Sequence, residues 1–233
     1  MIDLRRRGDG PLRIGHRGAS ALAPENSLES IALAVELGCD LVEFDVHAVD
    51  GSLVLAHDRP RSAAGLLGLD DVLSFLAGSE AGVHLDLKSH GAEREIATAL
   101  RRHGVVERTL VSSFRRATLR ALHAAEPCVR LGRTYPQDRT GLTKRPIFHP
   151  PARTAVRGLR RTLPRWIGRL LAASRASAAV LYWEVASEAV VARCHALGAP
   201  VLAWTVDDAE VLPWLNATGV DGVITNDPRI FAG

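Results

Sequence analysis

The residues best suited to chemistry lie within the first 58 positions of this 233-residue chain. His16 and Arg17 come first, Glu43 and Asp45 follow at a spacing of two, and His57 comes last. If the second pair lies on a strand, alternate side chains leave the same face, so the two carboxylates share that face. Imidazoles exchange protons near neutral pH, and a guanidinium matches the oxygens of a phosphate group. The set therefore indicates metal-assisted cleavage of a phosphate ester.

The spacing of the acidic residues predicts a metal site. Glu43 and Asp45 would repel each other if both were buried without a cation between them. Asp86, on the neighbouring predicted strand, is the natural third ligand. Because oxygen ligands favour hard cations, we predict one divalent cation, Mg²⁺ or Ca²⁺, bound to these three acids. The alternative is that the acids form ion pairs with Arg17 and Lys88 and hold no metal.

The remaining candidates would act on the substrate. A single histidine near an apolar strand is often structural, but His16 and His57 together with the acids predict an acid and base pair. Arg17 and Lys88 are predicted to bind phosphate oxygens, the first as a planar fork and the second as a point charge. For Trp204, substrate binding and core packing are equally good interpretations. The sequence leaves open which histidine is the acid, and whether water or a substrate hydroxyl attacks.

These residues need secondary structure that brings them together. Short runs rich in Val, Leu and Ile alternate with helical patterns, as in βα units around a parallel sheet. Strands are predicted at 12–15, 40–46, 83–87, 108–112, 128–132, 178–182, 200–205 and 220–224. Helices are predicted at 28–37, 69–76, 92–103, 117–125, within 153–173, 187–197 and 209–216. Eight strands fit one α/β domain over residues 1–233, a TIM-like (β/α)8 barrel with its site at the carboxyl ends of the strands.

The positive charge of the chain is local. Residues 134–176 contain ten Lys or Arg and one acid, a net +9, and the remaining 19 bases and 25 acids give −6. We predict that this segment is a basic, partly helical excursion of the barrel, with a helix within 153–173. Two interpretations stay open, an interfacial helix that contacts an anionic membrane or an outer barrel helix with solvated arginines. Nucleic acid is not expected as a partner, because no recognised motif accompanies the basic residues.

The sequence contains no pattern typical of export or of membrane insertion. No apolar run approaches the roughly 18 residues of a membrane span, and no apolar stretch follows the basic start of the chain. Cys39, Cys128 and Cys194 are odd in number and widely spaced, which favours buried thiols over a disulfide framework. We therefore predict a cytoplasmic protein.

The motifs of the chain, taken in order, are similar to those of one enzyme family. They are His-Arg-Gly at 16–18, Pro-Glu-Asn-Ser at 24–27, Glu-x-Asp-Val at 43–46, His-Asp at 57–58, Asp-x-Lys at 86–88, Ser-Ser-Phe at 112–114, Trp-Thr-Val at 204–206 and Gly-Val-Asp-Gly-Val-Ile-Thr-Asn-Asp-Pro at 219–228. In this set the chain resembles the glycerophosphodiester phosphodiesterases, which are PLC-like phosphodiesterase TIM barrels. The resemblance implies that one divalent metal assists the hydrolysis of a small glycerophosphodiester to an alcohol and sn-glycerol 3-phosphate.

The resemblance also implies a role for each matching residue. It assigns the acid and base roles to His16 and His57, and it assigns phosphate binding to Arg17 and Lys88. The metal ligands that it implies are Glu43, Asp45 and Asp86.

Two departures from the family pattern bear on the substrate. Asp86 stands where the family usually has Glu, and only 28 positions separate Asp58 from Asp86, which leaves a minimal insertion after the second His motif. Both features also resemble the lysophospholipase D and sphingomyelinase D relatives, so a phosphodiesterase acting on lysophospholipids is an alternative function. The intact His-Arg-Gly and Pro-Glu-Asn segments favour the glycerophosphodiesterase branch. A third possibility, from another class, is a barrel that binds phosphodiesters or lipids without turnover.

Overall fold

Eight parallel strands form a closed barrel in the computed structural model, which describes residues 1–8, 10–137 and 150–232, with side chains from residue 154 in the last range. The barrel strands are β1 (Leu12–Gly15), β2 (Leu41–Val49), β4 (Gly82–Leu87), β5 (Thr109–Ser113), β6 (Arg130–Tyr135), β7 (Ala178–Tyr182), β8 (Val201–Trp204) and β9 (Gly222–Thr225). Each strand pairs in parallel with its neighbours, and β1 closes the circle by pairing with both β2 and β9. The predicted TIM-like barrel is confirmed.

A ninth strand, β3 (Ser52–Leu55), forms an antiparallel hairpin with the end of β2. The turn consists of Asp50 and Gly51, which have φ values of 51° and 76°. Asp-Gly is a preferred pair for a two-residue hairpin turn that needs two positive φ values. Strand β3 is not among the eight predicted from the sequence. The hairpin returns the chain to the end of the barrel, and His57 follows two residues after Leu55.

Seven α-helices lie around the barrel in the described part of the chain. They are α1 (Leu28–Glu36), α2 (Leu69–Ala77), α3 (Glu93–Arg102), α4 (Arg116–Ala125), α5 (Pro150–Ser174), α6 (Glu188–His195) and α7 (Leu212–Thr218). The helix predicted at 209–216 begins as a 3₁₀ turn at Ala209–Val211 and continues as α7. Residues 58–68 form no helix and, apart from a bridge at Gly68, no strand. This short connection agrees with the minimal insertion predicted after His57.

The interior of the barrel changes from apolar to polar along the strands. On β2, Leu41 is followed on the same inward face by Glu43 and Asp45, and on β5 Leu110 is followed by Ser112. The apolar inward side chains form one aliphatic cluster, to which the segment before β1 contributes Leu4. The other buried members are Leu12, Ile14, Leu41, Leu110, Ala178, Val180, Leu202 and Ile224. One end of the barrel is therefore a packed core, and the polar groups collect at the carboxyl ends of the strands.

Helix α5 packs against the barrel by one apolar face. Leu163, Ile167 and Leu171 are buried in the same cluster as residues of β7 and β8. The helix is continuous through Pro164. This packing is what the outer-helix interpretation of the basic segment predicted. Residues 138–149 of that segment lie outside the described residues.

The cysteines follow the prediction in part. Cys39 and Cys194 are buried free thiols, and burial raises the pKa of each to about 12. Cys128 is free but exposed, so the expectation that it is buried is wrong. No helix among the described residues is both long and apolar enough to cross a membrane.

Candidate active site

A cavity of about 530 Å³ opens at the carboxyl ends of the strands. Predicted site residues that line it are His16, Arg17, Glu43, His57, Asp86, Lys88 and Trp204. The other predicted ligand, Asp45, is 1% exposed and contacts Arg17 and Lys88 from below the cavity surface. The structure therefore brings together all eight side chains that the sequence analysis singled out. Further lining residues are Asp58, His84, Ser112, Phe114, Thr134, Gln137, Val180, Thr205 and Ile224.

The three predicted metal ligands form a buried cluster because of strand register. β2 and β4 pair so that Asp45 lies opposite Asp86 and Glu43 lies opposite His84. One oxygen from each of Glu43, Asp45 and Asp86 lies within 4.8 Å of the other two. Burial, and then the charges of the two aspartates, raise the pKa of Glu43 well above its ordinary value. A cation among these oxygens would relieve the repulsion that produces this shift.

Two cationic side chains partly compensate the acids. Lys88 Nζ lies 2.7 Å from Asp45 Oδ1 and also contacts Asp86, and Arg17 Nε lies 3.1 Å from Asp45 Oδ2. Burial alone would raise the pKa of Asp45, but Lys88 and then Arg17 hold it below its ordinary value. These are the ion pairs that the metal-free alternative predicted. They leave Glu43 with a hydrogen bond from the Arg17 backbone N–H at 2.9 Å and with His16 Nε2 at 3.9 Å.

The donor set fits a divalent cation. Three carboxylates face two cationic side chains, so the cluster keeps one excess negative charge when all five groups are ionised. All three ligands offer oxygen, which is the donor type that Mg²⁺ and Ca²⁺ prefer. The acidic cluster is therefore compatible with a divalent metal.

Asn26 holds Asp45 in place and was missed as a site residue. Its Nδ2 donates to Asp45 Oδ2 at 3.1 Å, and its Oδ1 accepts from the Asp45 backbone N–H at 3.0 Å. Asn26 has a φ of 57°, a left-handed conformation that asparagine tolerates better than most residues. Ser27, and not Asn26, caps α1 by accepting from the Ser30 N–H. The available signal was the asparagine of the Pro-Glu-Asn-Ser motif at 24–27.

The glycine of the His-Arg-Gly motif has a steric role. Gly18 has a φ of +81°, and a Cβ at this position would overlap the Ser30 backbone at the start of α1. Its N–H donates to the Glu43 carbonyl at 3.1 Å. Glycine therefore allows the loop after β1 to pass between α1 and β2, which places Arg17 over Asp45.

Both predicted catalytic histidines favour the neutral form. Burial, and then the charge of Arg17, lower the pKa of His16 to about 4. Burial and Arg17 also lower the pKa of the half-buried His57. His16 Nδ1 lies 2.6 Å from Asn226 Oδ1. An unprotonated imidazole can accept a proton, so each ring is able to act as a base near neutral pH.

His84 and Ser112 form a chain of hydrogen bonds that ends on Asp86. Ser112 donates its hydroxyl to Asp86 Oδ1 at 2.7 Å, and His84 Nε2 lies 3.0 Å from the same hydroxyl oxygen. Because that hydroxyl gives its one proton to the carboxylate, it accepts from His84. His84 was not among the predicted site residues. Its period-two spacing from Asp86 on one strand was the signal for an inward position.

Trp204 borders the cavity and also packs against other aromatic rings. Its ring borders the cavity and makes edge contacts with Phe114 and Tyr182 at centroid distances of 6.0 and 5.7 Å. Its Nε1 donates to the Val180 carbonyl at 3.2 Å. The cavity therefore has a charged side that includes Glu43, Asp86 and Lys88 and an aromatic side formed by Phe114 and Trp204.

A (β/α)8 barrel with paired imidazoles, clustered carboxylates, Arg and Lys at its strand ends defines a barrel enzyme for an anionic substrate. The sequence model of the glycerophosphoryl diester phosphodiesterase family matches residues 16–74 and 79–230. The chain therefore belongs to the glycerophosphoryl diester phosphodiesterase family. Membership confirms the resemblance found in the motifs and the predicted class of enzyme.

Individual relatives match over nearly their whole length. The glycerophosphodiester phosphodiesterase of Caldanaerobacter subterraneus subsp. tengcongensis is 27% identical over 94% of this chain and 95% of its own. The crystal structure of a putative glycerophosphoryl diester phosphodiesterase from Silicibacter pomeroyi has a TM-score of 0.78 at 24% identity and covers 98% of this chain and 95% of its own. An Oleispira antarctica phosphodiesterase, solved in complex with the product sn-glycerol-3-phosphate, has a TM-score of 0.72 at 22% identity and 96% coverage of both chains. At these identities the two structures show a shared fold.

Proposed function

We propose that this chain is a metal-dependent phosphodiesterase that hydrolyses glycerophosphodiesters to an alcohol and sn-glycerol 3-phosphate. The observation that carries the proposal is the buried cluster of Glu43, Asp45 and Asp86, whose oxygens lie within 4.8 Å of one another beside two imidazoles. The product bound to the Oleispira antarctica phosphodiesterase supports the choice of glycerol 3-phosphate.

Glu43, Asp45 and Asp86 would hold the cation, which we propose is Mg²⁺ or Ca²⁺. When bound, the ion supplies positive charge that offsets the negative charge of the diester and of its transition state. Asn26 keeps Asp45 in one orientation through two hydrogen bonds, and Ser112 does the same for Asp86 through one. Such supporting contacts stabilise the ligand geometry before an ion enters.

Arg17 and Lys88 bind and orient the phosphate group in this proposal. Burial would lower the pKa of Lys88, but the nearby Asp86 and Asp45 raise it overall, so the ammonium stays charged. The backbone N–H of Arg17 contacts Glu43 while its side chain contacts Glu25 and Asp45. Both cations thus lie at the cavity surface with restricted positions, which favours an in-line arrangement of the reacting groups.

His16 and His57 move the protons. Their lowered pKa values keep both rings neutral near neutral pH, so one can accept the proton of the attacking water or substrate hydroxyl. The other, after taking up a proton from water, gives that proton to the departing alkoxide and returns to the neutral form. The aromatic side of the cavity, formed by Phe114 and Trp204, is the surface on which we place the organic part of the substrate.

A substrate panel tests the proposed reaction. The purified chain, supplied with Mg²⁺ or Ca²⁺, is incubated with glycerophosphocholine, glycerophosphoethanolamine, glycerophosphoglycerol and lysophosphatidylcholine, and ³¹P NMR identifies the products. We expect sn-glycerol 3-phosphate from the first three compounds. Preferential cleavage of the lysophospholipid would favour the lysophospholipase D alternative, which the short connection at residues 58–68 also admits. Binding without turnover of any of them would instead support a non-catalytic barrel.

The exposed side of α5 is the basis of a second proposal, a peripheral contact with anionic lipid. Arg157, Arg161, Arg165 and Arg169 recur every fourth residue and are all exposed, and α5 contains no acid. Among the described residues, none of these four arginines takes part in an ion pair. Side chains at this spacing form one stripe along a helix, and such a stripe is attracted to anionic headgroups.

Sedimentation with vesicles tests the lipid contact. At physiological ionic strength we expect binding to vesicles of phosphatidylcholine mixed with phosphatidylglycerol and none to phosphatidylcholine alone. Each basic residue near such a surface is worth about 1 kcal/mol, so the double variant Arg161→Glu/Arg165→Glu should bind at least roughly tenfold more weakly. The matched control is Arg94→Glu/Arg120→Glu, which reverses two exposed arginines on α3 and α4. Equal binding by both variants, or no binding by the unaltered chain, would refute the contact.

A further inference from the structure

Asn226, the first residue after β9, lies between His16 and the loop after β8. Its Oδ1 lies 2.6 Å from His16 Nδ1 and accepts from the Ser20 hydroxyl at 2.8 Å. Its backbone carbonyl accepts from the Ala21 N–H at 2.9 Å. The loop after the last strand is thereby bound to the loop after the first strand, and His16 lies between them.

Asp207, in the loop after β8, fixes which way the Asn226 amide points. Its two carboxylate oxygens accept from the Asn226 backbone N–H at 2.8 Å and from Asn226 Nδ2 at 2.7 Å. A carboxylate can only accept, so the amide nitrogen of Asn226 must face Asp207. The amide oxygen must then face His16 and Ser20. The orientation of the Asn226 amide therefore follows from which groups can donate and which can accept.

This orientation determines the tautomer of His16. An amide oxygen can only accept, so Nδ1 of His16 carries the ring proton in the neutral imidazole. The other nitrogen, Nε2, then has a free lone pair. It lies on the side of the ring that borders the cavity, 3.9 Å from Glu43 Oε2. In a histidine the hydrogen bond made by one ring nitrogen sets the state of the other.

We infer that Asp207 and Asn226 are positioning residues that hold His16 as the Nδ1–H tautomer and leave Nε2 as the atom that accepts the proton. The tautomer assignment stands by itself, and only the transfer of a proton to Nε2 during the reaction rests on the proposed function. When Nε2 takes a proton from the attacking hydroxyl, Nδ1 keeps its own proton and its bond to Asn226, so the ring changes charge without turning. Neither positioning residue is among the residues that line the cavity.

The isosteric variant Asp207→Asn reverses the chain of hydrogen bonds. The new amide can keep accepting from the Asn226 backbone N–H with its oxygen, and its nitrogen then faces the Asn226 side chain. Asn226 would have to turn its oxygen toward residue 207 and its nitrogen toward His16. The ring would respond by placing its proton on Nε2. We expect kcat to fall by about 10²-fold, the lower part of the range for a lost acid or base, with KM nearly unchanged.

¹⁵N NMR of histidine-labelled protein with Mg²⁺ reads the tautomer without reference to activity. The chain has nine histidines, and the His16→Gln variant identifies the signals of His16 by their loss. We expect a protonated Nδ1 and an unprotonated Nε2 in the unaltered chain, and the opposite in Asp207→Asn. Asp208→Asn is the matched control, because that exposed carboxylate accepts from the Glu210 N–H and makes no contact with Asn226; its spectrum and kcat should stay unchanged.

The spectra separate failure of this inference from failure of the proposed function. A protonated Nε2 in the unaltered chain would overturn the inference, and so would an Asp207→Asn variant with unchanged His16 signals and unchanged kcat. If the chain had no diesterase activity, the tautomer assignment would still be decided by the spectra of the unaltered chain and of the Asp207→Asn variant.

Discussion

Replacing His16 or His57 with Gln lowers kcat for glycerophosphodiester hydrolysis by about 10²–10⁴-fold, the usual contribution of a positioned acid or base. Both rings border the same cavity as the acidic cluster and favour the neutral form. Glutamine keeps much of the size and polarity of the ring but cannot exchange a proton at neutral pH. The loss should therefore appear in kcat, and KM should change little.

A diester with a better leaving group identifies which histidine is the acid. A p-nitrophenyl ester releases a phenolate that needs no proton, so the variant without the acid should regain most of its activity on that substrate. The variant without the base should stay slow. His103→Gln is a suitable control, because this imidazole pairs with Asp70 on the outside of the barrel. Full activity of both site variants on natural diesters would exclude the acid and base mechanism.

Removing divalent cations should reduce the activity by roughly 10³-fold or more, since a bound ion contributes several kcal/mol of charge stabilisation to the transition state. Chelation leaves Glu43 beside Asp45 and Asp86, with only Lys88 and Arg17 to balance their charge. The measurement is diesterase activity after EDTA treatment and after return of Mg²⁺, Ca²⁺ or Zn²⁺. The ion that restores activity at the lowest concentration identifies the preferred metal.

Variants of the ligands connect this loss to the proposed site. Asp45→Asn and Asp86→Asn should each raise the metal concentration needed for half-maximal activity, because an amide is a weaker ligand than a carboxylate. The control Glu188→Gln removes an exposed acid at the start of α6 and should behave like the unaltered chain. Undiminished activity in EDTA, with no metal found by elemental analysis, would favour the alternative in which Lys88 and Arg17 alone balance the acids.

The barrel could be predicted because its physical signal is local. Parallel strands are buried on both faces, so they stand out as short aliphatic runs. The prediction was least accurate where a strand contributes polar residues to the cavity. β6 extends to Tyr135, beyond the predicted end at 132, and its later residues include Arg133 and the cavity-lining Thr134. The strand after the Asp50 turn was missed for another reason, since four residues carry too little alternation to be told from a loop.

The acidic cluster could be predicted because its signal is also local, whereas the residues that support the site could not. Glu43 and Asp45 share a face by simple alternation, and Asp86 lies opposite Asp45 because parallel strands pair. Asn26 and Asn226 contact Asp45 and His16 across 19 and 210 positions of the sequence. Contacts of this kind depend on how loops from different strands meet above the barrel. No periodicity within one segment carries that information.

The hairpin of β2 and β3 positions His57 through a strand pairing that does not include Glu43 or Asp45. Glu43 and Asp45 lie on the part of β2 that pairs with β4, whereas β3 pairs only with the residues from Val46 onward. Ala56 still donates its N–H to the Asp45 carbonyl at 3.3 Å, so a change of length after Ala56 would move the proposed proton-transfer group His57, and alter how far the cavity is enclosed, while leaving the pairing of β2 with β4 in place. Mutation and selection can act on leaving-group preference and on ion binding as separate traits, because the fold encodes them in separate strand pairings.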